Sequence, residues 1–193
     1  MTQPEGARAG EDGRLRCPWA LSAPEYVDYH DLEWGRPVDD DRAMFERLTL
    51  EAFQSGLSWL IILRKREGFR AAFDAFEPEK VAGYDESDVQ RLLADAGIVR
   101  NRAKIEAAIA NARAALDLDG GLLAHVHRFA PQVHVEAPRK LGEVRSQTEE
   151  SKALAKDLRK RGFRFVGPTT MYALMQATGI VDDHLADCWR RGP

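Results

Sequence analysis

A carboxylate, an amide and an indole stand close together in the stretch Leu50-Glu51-Ala52-Phe53-Gln54-Ser55-Gly56-Leu57-Ser58-Trp59. Residues three apart share a helix face, so Glu51 and Gln54 point the same way, while Phe53 and Leu57 occupy a neighbouring face suited to a core. Gly56 is placed to end that helix and Ser58 to cap the next, with Trp59 in its first turn. Such a bend gathers Glu51, Gln54 and Trp59 around one concavity. An isolated glutamate is usually solvated, so the reading needs support from elsewhere. Trp19, Tyr26, Tyr29, Trp34 and Trp59 concentrate aromatic rings in the N-terminal part of the chain. Most such rings are core, but a few set around Glu51 make a stacking box with an acceptor at one end. That box suits a flat, cationic, hydrogen-bonding ligand such as an alkylated base.

A second constellation is metal-ligating. His184 and Cys188 are four apart, and a short final helix would aim both ligand atoms the same way. Cys17 and His30 supply the same two ligand types from the other end of the chain. A Cys2His2 set is a closed tetrahedral zinc site with no open position for a catalytic water, so its role would be structural. Spacing alone does not pair 17 with 184, and two free cysteines with ordinary histidines remain the alternative.

The third is a hairpin, Ala96-Gly97-Ile98-Val99, between two amphipathic helical patterns. Glycine lets backbone approach a phosphate, and successive N–H groups at the start of the following helix form an anion site. Arg100, Arg102 and Lys104 follow at once and could neutralise neighbouring phosphates, with Gly97 and Ile98 forming the turn itself. A plain helix corner with solvated basic residues fits this segment equally well. Lys156, Arg159, Lys160, Arg161 and Arg164 make a second basic run, of a kind that helix faces often carry.

The elements that must position these groups are helical. Ser22 with Glu25 reads as a capping box, Asp40 opens the next helix, and Met44, Phe45, Leu48 and Phe53 form its apolar stripe. Further helices are predicted from Ser58 to Phe76, from Pro78, on both sides of Gly97, and over 121–130. Ser146 with Glu149 reads as a second capping box for a helix ending at Gly162, and Pro168 suits the first turn of one stopping at Gly179. Alternating strand patterns are nearly absent, and the class is all-α.

The chain has 193 residues, 44% hydrophobic and 31% charged, enough for one domain with a proper core. Residues 1–14 lack aromatics and read as a tail; 15–193 read as a single domain, with two helical lobes flanking the site as one arrangement. No run of about 18 apolar residues is present, so no membrane span is expected. Two distant cysteines fit a reducing compartment, and a cytoplasmic monomer is expected. The net charge of -3 does not favour nucleic acid, so any DNA contact must rest on local basic patches.

Taken together, Arg16-Cys17-Pro18-Trp19, Tyr29-His30-Asp31-Leu32-Glu33-Trp34-Gly35, Leu50-Glu51 with Gln54, Gly56-Leu57-Ser58-Trp59, Ala96 to Arg100, Arg161 to Gly167, and Asp183-His184 with Cys188 resemble the DNA-3-methyladenine glycosylase I family. The resemblance runs from Leu15 to about Trp189. It implies a helix-hairpin-helix DNA glycosylase fold, with one zinc per chain held by Cys17, His30, His184 and Cys188 and clasping the chain ends. It implies that Glu51 contacts a base flipped out of double-stranded DNA, while Trp19, Tyr29 and Trp59 shape or stack in the pocket. The implied reaction is hydrolysis of the N-glycosidic bond of 3-methyladenine, giving free base and an abasic site without strand cleavage. A zinc-stapled helix-hairpin-helix module that binds DNA without catalysis shares the hairpin, the basic runs and the zinc. It has no need of a Glu51 pocket.

Overall fold

The computed structural model describes residues 6–133 and 136–191. A short antiparallel ribbon comes first, pairing β1 (Arg8–Ala9) with β2 (Leu15–Arg16) so that Arg8 lies opposite Arg16. Residues 6–14 were expected to be part of a tail. Instead, Arg16 reaches back to Asp12 with Nη1 at 2.6 Å and Nη2 at 2.7 Å, and forward to Asp31, so an ion-pair network replaces the missing apolar surface. Residues 1–5 lie outside the described part.

Everything after the ribbon is helix or connection. A 3-10 turn (Pro18–Ser22) leads into α1 (Pro24–Leu32), α2 (Asp41–Gln54), α3 (Trp59–Ala72), α4 (Pro78–Ala82) and α5 (Glu86–Ala94). There follow α6 (Arg102–Leu116), α7 (Gly121–His127), α8 (Glu149–Lys160) and α9 (Pro168–Ala177). Asp40 caps α2 by accepting from the N–H of Ala43, as its position predicts. The two expected capping boxes are displaced. Ala23 occupies the N-cap of α1 while the Ser22 hydroxyl donates to the carbonyl of Trp19, and Thr148 with Ser151, not Ser146 with Glu149, closes the box on α8.

The core is built on aromatic contacts around α2 and α3: Phe53 and Phe69 lie 4.8 Å apart edge to face, and Phe73 stacks on Phe76. α2 packs against α3, α6, α7 and α9, and Leu50, Glu51, Ala52 and Phe53 in its C-terminal part are all buried. A glutamate in that run is therefore held inside the protein by the apolar residues beside it. The hairpin before α6 is seated on α3. A Cβ on Gly68 would come within 2.5 Å of the Gly97 carbonyl oxygen, so the two backbones meet where only glycine fits. Lys65 on the same helix donates from Nζ to the Ala96 carbonyl at 2.6 Å.

The segment carrying His184 and Cys188 was expected to be a short helix. It is a run of turns instead, in which Cys188 N–H donates to Leu185 and Arg191 donates from Nη1 to the carbonyls of His184 and Asp182.

Candidate active site

The bend after α2 forms as its residues dictate. Gly56 takes a positive φ of 79°, Ser58 stands at the N-cap position of α3 but its hydroxyl makes no cap hydrogen bond, and Gln54 donates from Nε2 to the Leu57 carbonyl at 2.8 Å, bracing the turn from inside. The bend borders a cavity of about 540 Å³. Glu51, Gln54 and Trp59 form one wall, and Trp19, Tyr26, Tyr29 and Trp34 form the aromatic side. Tyr29 and Trp59 have ring centroids 5.5 Å apart, and Trp19 meets Tyr26 edge-on at 5.8 Å. The expected gathering of Glu51, Gln54, Trp59, Trp19 and Tyr29 around one cavity is what the structure contains.

The rest of the lining was not legible in the sequence. Thr169, Ala173 and Gln176 face the cavity from α9, and Asp183 faces it from the segment beyond. Thr169, Ala173 and Gln176 recur at helical spacing, a signal the sequence does carry, but nothing local says that this face looks onto Glu51 more than a hundred residues earlier. The Asp183 carboxylate accepts through Oδ2 from the Tyr172 hydroxyl at 2.6 Å and from Gln176 Nε2 at 2.7 Å.

Glu51 is 6% exposed, and burial raises its pKa from 4.5 to about 8 against the opposing pull of Arg47. The carboxyl is therefore mostly neutral near pH 7, where the sequence alone suggests an ionised carboxylate that only accepts hydrogen bonds. Tyr29 is pushed well above the ordinary phenol range by burial first and by the nearness of Glu51 second. Burial lowers Arg47 to about 10. Arg47 also contacts Glu33, whose carboxylate receives Arg66 as well, so the basic residues beneath the pocket are tied into ion pairs. The Trp59 indole N–H is buried beside the Tyr29 hydroxyl without a hydrogen bond of ordinary geometry, a donor with no settled acceptor.

Next to the aromatic wall lies the Cys/His cluster. One ligand atom each from Cys17, His30 and Cys188 lie within 4.8 Å of one another, and Cys188 Sγ is 3.3 Å from His30 Nε2. His184 stands beside this group, its ring edge-on to His30 with centroids 5.1 Å apart. Each histidine engages a carboxylate through Nδ1 at 2.7 Å, His30 with Asp31 and His184 with Asp182. That arrangement fixes the ring and leaves Nε2 for a metal. His184 Nε2 is buried with no hydrogen-bond partner, as a ligand atom awaiting an ion would be. The nearness of the two thiols pushes Cys17 up and Cys188 down. The donor set fits zinc. Gly35 completes the enclosure: its φ is 77°, and a Cβ there would lie 2.7 Å from His184 Cε1.

The hairpin meets expectation only in part. α5, the turn at Gly97 and α6 follow one another as two helices joined by a short connection, with Asn101 capping α6 and Ile98 buried. The Gly97 N–H, however, donates to Asp95 Oδ1 at 2.6 Å. Arg102 is paired with Glu86 and Glu106. Lys104, expected to meet phosphate, turns inward: it is 8% exposed, and its Nζ donates to the carbonyls of Phe53 and Ser55. Those carbonyls lie at the C-terminal end of α2, where an ammonium completes hydrogen bonding that the helix leaves open. Of the three basic residues, Arg100 and Arg102 are exposed, Arg102 within its ion pairs and Arg100 at the turn.

Known proteins resemble this chain over most of its length. The family model described as methyladenine glycosylase matches residues 19–191. This chain belongs to that family. It is 47% identical over 177 residues to DNA-3-methyladenine glycosylase 1 of Escherichia coli (strain K12), covering 90% of this chain and 95% of the relative. DNA-3-methyladenine glycosylase of Haemophilus influenzae is 44% identical over 179 residues, covering 90% of this chain and 96% of that one. Among solved structures of the family, a crystal structure of 3-methyladenine DNA glycosylase I superposes with a TM-score of 0.87 at 44% identity, covering 92% of this chain and 100% of the other. The Staphylococcus aureus enzyme, whose structure addresses 3-methyladenine recognition, superposes with a TM-score of 0.87 at 34% identity over 92% of this chain and 97% of its own.

Proposed function

We propose that this protein is a base-excision repair enzyme that hydrolyses the N-glycosidic bond of 3-methyladenine in alkylated double-stranded DNA, releasing free base and leaving an abasic site. The observation that carries the reading is Glu51, a buried carboxyl at the edge of an aromatic-walled cavity. The relatives named for this activity share its fold and nearly all of its length.

Methylation at N3 makes the base cationic and hence a good leaving group, so the protein has to extract the nucleotide, hold it and stabilise positive charge as it moves to the sugar. Trp19, Tyr29 and Trp59 offer π faces to a cation. An arriving cation also lowers the pKa of Glu51, because an opposite charge within a few ångströms favours the ionised form. Glu51 then pairs with the base as a carboxylate. When the bond breaks, the base keeps the electron pair and leaves neutral, Glu51 loses its partner and takes a proton back, and the product is held less tightly. The coupling needs a carboxyl poised near neutrality, which is what burial provides here.

The hairpin is assigned to the DNA backbone through Arg100 and the turn, without sequence readout. Cys17, His30 and Cys188, with His184 as fourth ligand, would hold one zinc that supplies a structural cross-link and no reaction chemistry. Among the described residues no helix is long and apolar enough to cross a membrane, and a cytoplasmic monomer is part of this reading.

The test is chromatographic detection of free base from methylated duplex DNA. Release of 3-methyladenine by the wild type and its loss in Glu51→Gln is the expected result. Tight DNA binding with no release would favour the non-catalytic zinc-stapled module.

A further inference from the structure

Residues 156–167 carry charge that the fold does not use. Lys156, Arg159 and Lys160 lie three and four apart on one exposed face of α8, and Arg164 follows the turn at Gly162. None of the four has a carboxylate within ion-pair range among the described residues, whereas Arg102, Lys152 and Arg161 are all paired. The helix dipole accounts for Arg159 and Lys160 in the last turn of α8, but not for Lys156 a turn earlier or for Arg164 beyond the helix. On a chain of net charge -3, such a cluster is suited to an anionic partner.

Phe165 adds an aromatic ring to these cations. Its neighbours Phe163 and Val166 are buried, but Phe165 is 38% exposed and holds a φ of 56°, a left-handed conformation unfavourable for a bulky residue. A buried amide clamps the residue before it: the Arg164 N–H donates to Asn111 Oδ1 at 2.7 Å, and Asn111 Nδ2 donates back to the Arg164 carbonyl at 3.1 Å. A single exposed ring needs no explanation, but one turned outward at the expense of backbone strain does.

Asn111 also fixes where this segment stands. It comes seven residues after Lys104 on the same face of α6, two turns or about 10 Å along the axis. Lys104 binds the bend after α2, and Asn111 binds the segment that enters α9, so both chain segments reach the cavity from neighbouring positions on one helix. That offset is comparable to the grooves of DNA, about 6 to 12 Å wide. A duplex whose extruded base enters beside the exposed Gly56 therefore comes within reach of Phe165 and its cations.

We infer that residues 156–167 form a second DNA-binding surface, in which the Phe165 ring packs against the strand flanking the extruded nucleotide while Lys156, Arg159, Lys160 and Arg164 meet phosphates. The inference rests on the glycosylase reading of the adjacent cavity. Aromatic contact tolerates any base, and phosphate contacts carry no sequence information, so this surface suits a lesion met in any sequence context.

The experiment compares Phe165→Gly, Phe165→Tyr and Arg164→Gln with the wild type. It measures binding to duplex DNA carrying a tetrahydrofuran abasic analogue, binding to free 3-methyladenine, and thermal melting. Glycine accepts the positive φ without strain, so Phe165→Gly should melt no lower than the wild type while binding the duplex about tenfold or more weakly. Phe165→Tyr keeps the ring and should bind within about threefold of wild type. Arg164→Gln removes an unpaired cation, so the slope of log affinity against log salt should fall by about one with melting unchanged. Neither position lines the cavity, so all three variants should bind free 3-methyladenine as the wild type does.

Duplex binding by Phe165→Gly within about threefold of wild type, or an unchanged salt slope in Arg164→Gln, would overturn the assignment and leave a solvated helix end or a site for an acidic protein. A Phe165→Gly protein that melts well below the wild type would overturn it too, making the ring part of the packing. Weakened binding of free base would move the segment to base recognition. A wild type that binds the duplex and releases no 3-methyladenine would instead sink the glycosylase reading, with the DNA contact still in place.

Discussion

Lys104 donates from Nζ to the Ser55 carbonyl at 2.6 Å, joining the second helix of the hairpin to the bend that follows Glu51 and Gln54. The Phe53 carbonyl takes a second hydrogen bond from the same ammonium at 2.8 Å. The unit assigned to DNA and the unit assigned to the base are thus in direct contact.

Lys104→Met should therefore act on stability. It leaves two carbonyls without a donor in a covered site, a loss of about 1 to 3 kcal/mol, read by denaturant unfolding. The salt dependence of DNA binding should not change, because Nζ never meets a phosphate. Arg100→Ala should do the reverse, keeping stability while reducing the salt slope by about one. A Lys104→Met protein of normal stability with a flattened salt slope would show that the ammonium swings out to DNA.

Glu51 predicts an unusual pH dependence. Unfolded, it ionises near 4.5; folded, burial holds it protonated up to about 8. Between those values the native state binds a proton that the unfolded state lacks, so stability falls as pH rises through the window and levels off above it. Glu51→Gln removes that slope. The variant should match the wild type at about pH 4.5 and be the more stable protein at about pH 9, while releasing far less 3-methyladenine. Its amide can offer a donor to a carbonyl, so the preference for 3-methyladenine over 7-methylguanine should narrow. Thermal melts of both proteins across this range decide the matter: parallel curves mean that Glu51 is ionised in the native state.

The cysteine and histidine cluster predicts one zinc per chain. Cys188→Ser should lose metal and thermal stability together, because binding free energy at such a site is folding free energy. Metal analysis of purified protein is the measurement, and a variant that keeps its full zinc content would remove Cys188 from the ligand set. Since Trp19 lies edge-on to His30 with centroids 5.4 Å apart, and Trp34 to His184 at 4.5 Å, chelation should also perturb tryptophan fluorescence.

Gly68→Ala probes the seat of the hairpin. The added Cβ would meet the Gly97 carbonyl oxygen at 2.5 Å, backbone that cannot rotate away. The expected loss is about 1 to 3 kcal/mol, with weaker DNA binding because the turn at Gly97 is displaced. Unaltered melting and unaltered DNA affinity would mean that the two helices separate at little cost.

What the sequence determined by itself is what neighbours in the chain can encode. Helical periodicity predicts the helices around Met44 to Phe53 and on both sides of Gly97. Asp40, Gly56 and Pro168 mark ends because their requirements are satisfied within a few residues. Glu51, Gln54 and Trp59 share a wall for the same reason: one bend places all three. Tertiary structure decided everything that depends on segments distant in sequence. Nothing near Lys104 announces that its ammonium will find the end of α2 and not a phosphate. Nothing near Asp183 says that it will line the same cavity as Glu51, and nothing near Glu51 sets its pKa, because desolvation is imposed by the surrounding elements. The turns at His184 and Cys188 make the same point from the other side. Their spacing suggested a helix, yet the contacts that bring them beside His30 and Cys17 come from packing between the two ends of the chain, where the energy of the contacts outweighs local preference.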